Sequence, residues 1–291
     1  MRTPNVKRTL LSAPSLECGQ KCPHHVVALL VCTVVLRGLA LAGPYAPAAG
    51  QPTSTAIAHD PPGIVGWASG YQDLVRGPID ITDLGEGFAS YGDGDDALGP
   101  ADAQIDALPV VSLGDGGSIT VTFTRPIGNG TGADFAVFEN GHSDNFLELA
   151  HVRVSSNGTD FFAFPSASLT STATQIDTFG LLDPTNIHNL AGKYRKGFGT
   201  PFDLAELAGT PGLDIAAVTH VRIDDVVGTI NPLFGTRDSL GNLINDPWPT
   251  VFTTGGFDLD AVGVLHFAVP EPSATVLLGM AALVAAARRR R

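Results

Sequence analysis

Apolar and polar residues alternate strictly through Ser118-Ile119-Thr120-Val121-Thr122-Phe123-Thr124, a period of two that predicts a strand with Ile119, Val121 and Phe123 on its inner face. The same period predicts strands over Asp134 to Phe138, Leu147 to Ser155, Phe161 to Phe164, Val218 to Val227 and Phe257 to Phe267. Asn157-Gly158 stands between two of these as a hairpin turn. Helical spacing is confined to Pro201 to Leu207 and the short run Ile187 to Ala191. Residues 44 to 62 have no apolar period and read as a linker. Short strands punctuated by Gly, Asn, Asp and Pro predict an all-β fold, two sheets packed as a sandwich, with a jelly roll as the first choice of winding. One or two short helices would accompany it.

Composition supports that picture. The chain has 291 residues with 34 Gly and 21 Pro, and these lie scattered between apolar runs as turn residues rather than in repeats. Between residues 44 and 269 there are 8 Lys and Arg against 27 Asp and Glu, a net charge of −19, which argues against nucleic acid as a partner. Of those acids 23 are Asp and only 4 are Glu, a bias suited to Asx turns and oxygen-rich cation loops rather than to helix surfaces. The three cysteines, Cys18, Cys22 and Cys32, precede all of this, so the inner region has no disulfide, no Cys-based zinc site and no Cys nucleophile.

The two ends carry different signals. Arg2, Lys7, Arg8 and Lys21 precede the apolar run Val26 to Leu36, and Ala40-Leu41-Ala42 supplies a small-x-small site. That is the layout of a secretory signal over 1–42, cleaved after Ala42, which implies passage through the secretion machinery. At the other end Pro270-Glu271-Pro272 is followed by the uncharged stretch Ala274 to Ala287 and then by Arg288, Arg289, Arg290 and Arg291. At ~1.5 Å per helical residue this stretch covers only ~21 Å of a ~30 Å hydrocarbon core, so residues 274–287 suit transient membrane contact better than a lasting anchor. The segment 269–291 resembles the PEP-CTERM sorting signal, whose parts are Pro-Glu-Pro, an apolar helix and an arginine cluster. The resemblance implies recognition by an exosortase, removal of the tail, and a mature product at the cell surface or in an extracellular matrix.

The organisation is then a signal over 1–42, a linker over 43–63, a β-sandwich over 64–268 and a sorting tail over 269–291. Within the sandwich, Val111-Ser112-Leu113-Gly114-Asp115-Gly116-Gly117-Ser118, Gly132-Ala133-Asp134-Phe135-Ala136-Val137-Phe138-Glu139-Asn140-Gly141 and Gly256-Phe257-Asp258-Leu259-Asp260-Ala261-Val262 resemble stretches of a widespread family of bacterial cell-surface domains. That resemblance implies a surface β-sandwich and no particular ligand.

Several groups could carry chemistry. Asp258 and Asp260 stand two apart on a strand, so their carboxylates share one face about 6 to 7 Å apart at ~3.3 Å per residue. With Glu139 and Asn140 they form a candidate calcium site, because oxygen ligands select calcium over transition metals. Tyr91-Gly92-Asp93-Gly94-Asp95-Asp96 resembles the start of a calcium loop, but Gln104 occupies the position where an EF-hand needs its bidentate Glu. Trp248, between Pro247 and Pro249, is a candidate sugar-stacking platform. Lys193 and Arg195, with Lys196, are a candidate contact for anionic polysaccharide. No Gly-x-Ser-x-Gly, His-Glu-x-x-His or P-loop pattern occurs, and the histidines lack metal-ligand spacing. The expectation is an exported, noncatalytic surface module; the alternative is a glycoside hydrolase or lyase built on two carboxylates such as Glu139 and Glu148.

Overall fold

The computed structural model describes residues 42–60, 63–102 and 109–269. In chain order the strands are β1 (Ile57–Ala58), β2 (Gly66–Trp67), β3 (Gly70–Val75), β4 (Val111–Ser112), β5 (Ser118–Ile127), β6 (Phe135–Glu139) and β7 (Ala150–Ser155). They continue as β8 (Phe162–Ala163), β9 (Ala167–Ser168), β10 (Ile187–His188), β11 (Phe198–Phe202), β12 (Val218–Asp225) and β13 (Asp258–Val264). One antiparallel sheet runs β1-β11-β6-β13-β2, with β4 also on β13; a second runs β3-β5-β12-β7-β8, and β9 and β10 form a separate two-stranded sheet. The fold is all-β, as the alternation predicts.

The two larger sheets face one another across a single apolar layer. Ile119 and Val121 of β5, Val152 and Val154 of β7, and Val221 and Ile223 of β12 meet Phe135 and Val137 of β6 and Leu259, Val262 and Val264 of β13. Each set is spaced by two within its strand, except that β13 changes phase between Leu259 and Ala261, where its register against β6 shifts. That irregularity keeps Leu259 and Val262 both in the core and places Ala261 in a smaller cluster with Ala136 and Phe138. A second cluster of Leu147, Leu149, Leu182, Ile187, Leu190, Val226 and Ile244 fills the space under the long loops.

Two expectations are corrected. Ile187 to Ala191 is not helical: Asp183 caps a short 3-10 turn over Pro184–Asn186 that ends at Ile187, and Ile187–His188 then pairs with Ala167–Ser168. Asn189 and Gly192 take positive φ and Ala191 bridges to Ala150, so five residues of helical spacing are overridden by sheet contacts. The Pro201 to Leu207 segment is helical only in its second half, as a 3-10 turn over Leu204–Leu207 capped by Asp203, while Pro201 and Phe202 finish β11.

The segment expected to be a linker lies against the sandwich. Gly43 N donates to Thr185 Oγ1 at 2.6 Å, Tyr45 stacks on His188 at 4.8 Å, and Ile57 pairs with Gly199. Backbone pairing and single aromatic contacts hold it, which leave no apolar period to read. Among the described residues no helix is long and apolar enough to cross a membrane. The secretory signal and the sorting residues Pro270, Glu271, Pro272, Arg288 and Arg289 lie outside the described residues.

Candidate functional site

The buried acids fall into two kinds. The first kind clamps loops through backbone amides. Asp225 accepts from Phe257 N at 2.7 Å and Gly116 N at 2.9 Å; Asp115 accepts from Ile81 N at 2.8 Å and from the Trp248 indole at 3.1 Å. Asp246 accepts from Leu149 N at 3.0 Å, and Asp238 from Ser168 N, Leu240 N and Asn242 N. Burial pushes the carboxyls of Asp115, Asp225 and Asp246 upward, and the amide donors oppose that shift. The short Asp side chain suits this work, which accounts for the scarcity of Glu.

The Gly114-Asp115-Gly116-Gly117 turn is part of this scheme. Gly114 and Gly116 have φ of 72° and 69°, and a side chain on Gly117 would collide with the Leu113 carbonyl. A Cβ on Gly116 meets only Val227 Cγ2 at 3.6 Å, so Gly116→Ala should cost about 1 kcal/mol through backbone strain alone. A chemical melt of the variant measures this, and a loss above about 3 kcal/mol would mean that the turn tolerates no side chain there.

The second kind lies where β6 ends and β13 begins. Glu139, 1% exposed, accepts from Gly141 N at 2.7 Å through Oε2, the Asn140 backbone amide also favours its carboxylate, and its Oε1 has no well-formed hydrogen bond. Asp258, 6% exposed, accepts from Asn140 Nδ2 at 2.9 Å through Oδ2, and its Oδ1 has no well-formed hydrogen bond. Burial raises Asp258 to about 6, against the Ser112 hydroxyl, the Asn140 amide and the Arg76 charge, which favour the carboxylate. Burial, and then the Asp258 charge, push Glu139 and Glu148 well above the usual range. The Arg76 guanidinium donates to the carbonyls of Tyr91, Ser112 and Gly92, so it approaches Asp258 as a charge and not as a hydrogen-bond donor.

Asn140, Glu148 and Asp258 line a cavity of about 190 Å³ with Thr178, Thr250 and His142. Its rim is a run of rings: His142 lies 4.6 Å from Phe146, Phe146 6.5 Å from Phe179, and Phe179 6.0 Å from Phe252. Phe179 is 69% exposed and Phe252 45% exposed. Neither lies in a periodic segment, so the only signal in the sequence is a phenylalanine in each of several Gly- and Thr-rich loops.

The structure therefore brings Asp258, Glu139 and Asn140 together. Asp260 acts on Glu139 as a nearby charge and accepts from Asp102 N at 3.0 Å. Among the described residues no group of three or more His, Cys, Asp or Glu is placed to hold a metal ion. Trp248 is half-buried with its indole tied to Asp115, not held outward as a platform. Lys193 and Arg195 do not form one basic surface: Lys193 is buried, donates to the Ile187 carbonyl at 2.7 Å and is lowered by burial to about 8. Arg195 lies over Phe198 and pairs with Asp144 at 3.3 Å. The acidic loop is a capped turn, with Asp93 accepting from Asp95 N and Asp96 accepting from Asp93 N.

Residues 268–291 match the PEP-CTERM protein-sorting motif. No curated protein matches the chain.

Proposed function

We propose that this PEP-CTERM protein, an exported substrate of an exosortase, is a noncatalytic surface module that holds a saccharide at the cavity under Phe146, Phe179 and Phe252. The exposed ring ladder beside that cavity carries this reading. Phenylalanine faces stack against the C–H faces of pyranose rings, and the hydroxyls of Thr178 and Thr250 and the Asn140 amide at the cavity suit sugar hydroxyls. Secretion through the signal over 1–42 and loss of the tail would leave the sandwich at the cell surface or in the matrix, near extracellular polysaccharide. Mass spectrometry of the surface-exposed form should find a product lacking Arg288 to Arg291. In affinity electrophoresis through matrix polysaccharide, Phe179→Ala with Phe252→Ala should remove most of the retardation. Equal retardation of parent and variant would overturn the saccharide site.

Calcium on Asp258, Glu139 and Asn140 is the competing occupant of the same pocket, and it would raise the melting point in proportion to its occupancy. Equal midpoints in calcium and in EDTA would dismiss it. A second reading, cleavage of a glycan, is favoured by one observation. Glu148 is pushed toward the protonated form beside the carboxylate of Asp258, which is the pairing of acid and base that glycoside hydrolysis uses. Release of new reducing ends by the parent but not by Glu148→Gln would establish that reading in place of the first.

A further inference from the structure

We infer that the cavity at Asp258 is a subsite for a sugar ring bearing a free, unacetylated ammonium group. The inference rests on the saccharide reading above and names the ligand's charge.

No Lys or Arg lines the cavity: the guanidinium nearest Asp258, on Arg76, favours the carboxylate as a charge from outside the lining while it donates to three carbonyls. Two carboxyl side chains, Asp258 and Glu148, line the cavity, and Asp258 keeps one buried oxygen with no well-formed hydrogen bond. Buried carboxylate oxygens without donors are costly, and a ligand that brings N–H donors and positive charge relieves that cost. An ammonium group brings both.

The walls decide between an organic cation and a metal. Calcium takes six to eight oxygens, whereas this rim presents the rings of Phe146, Phe179 and Phe252. Aromatic faces attract ammonium groups through the ring quadrupole and stack on sugar rings, so one wall serves both halves of an amino sugar. Acetylation would remove the charge and the donors together. At about 190 Å³ the cavity is smaller than the ~300–1,000 Å³ pockets that enclose drug-sized ligands, which suits one ring of a longer chain.

Titration calorimetry of the full chain at pH 7 tests this, with a β-1,4-linked trimer of glucosamine, its N-acetylated counterpart, and tetralysine as probes. The amine trimer should bind at least tenfold more tightly than either of the others. Asp258→Asn should weaken it at least tenfold, and Phe179→Ala, which changes an exposed side chain and leaves the core intact, should do the same. Equal affinity for the acetylated trimer, equal affinity for tetralysine, or indifference to both substitutions would each overturn the inference. Binding of neutral or acetylated sugars through Phe179, with no preference for the amine, would overturn the charge assignment and leave the saccharide module standing. Failure of every sugar to bind would remove both.

Discussion

Replacing Asp134 by alanine should lower the unfolding free energy by about 3–5 kcal/mol, the largest loss expected from any loop carboxylate in this fold. Asp134 is fully buried immediately before β6 and accepts from Gly130 N at 2.6 Å, Leu204 N at 2.8 Å and His266 Nδ1 at 3.0 Å. One side chain thereby ties the turn ahead of β6, the 3-10 turn after β11 and the segment leaving β13. The backbone reinforces the same junction, with Asp134 N donating to Phe202 O and Asp134 O accepting from Leu265 N. Alanine would strand the buried Leu204 amide away from water at about 1–3 kcal/mol, would release the Gly130 and His266 contacts, and would open a small void beside them. At about 2–4 °C per kcal/mol for a domain of this size, the thermal midpoint should fall by roughly 10 °C. Asp134→Asn keeps one acceptor oxygen and should lose less than half as much. A loss below 1 kcal/mol for the alanine variant would mean that the three segments hold together without the carboxylate.

The strands were legible where apolar and polar residues alternate, whether or not the polar face is exposed. In Ser118 to Thr124, Ile119 and Val121 enter the core, while their polar neighbours Ser118 and Thr120 are also buried. The encounter of Asn140 with Asp258 was also within reach, since Asn140 follows the end of one strand and Asp258 begins another. Three features were not legible. The helical spacing of Ile187 to Ala191 covers too few residues to outweigh a 3-10 turn before it and strand pairing with Ala167–Ser168. Residues 43–58 are held by single contacts and backbone pairing, which impose no hydrophobic period. Trp248 looked like an exposed platform because two prolines flank it, but its indole is fixed by Asp115, more than a hundred residues earlier in the chain. The ring ladder escaped for the same reason: Phe146, Phe179 and Phe252 come from three loops whose meeting depends on the whole fold.

Asp258→Asn should do the opposite of Asp134→Ala and stabilise the ligand-free protein at neutral pH. The two aspartates differ in their donors: each Asp134 oxygen accepts a backbone amide, whereas Asp258 has one side-chain amide on Oδ2 and no well-formed bond on Oδ1. Around Asp258 the Ser112 hydroxyl, the Asn140 amide and the Arg76 charge favour the carboxylate, and burial still lifts its pKa from 3.8 to about 6. A carboxyl that is harder to ionise when folded costs nothing below pH 3.8; its penalty grows as pH rises toward 6 and is complete above it. At ~1.4 kcal/mol per pH unit the penalty near pH 7 is about 2–3 kcal/mol. Asparagine removes the charge, keeps an oxygen for Asn140 and adds an N–H₂ that can donate toward Glu139. The midpoint at pH 7 should therefore rise by about 4–8 °C, and the gain should fade as the melt is repeated toward pH 4. A lower midpoint at pH 7 without added ligand would mean that the carboxylate is already compensated in the folded protein. The gain in stability is expected together with loss of amino-sugar binding, because the charge that destabilises the empty cavity is the charge that would attract the ammonium group, the trade between stability and function expected of a strained site.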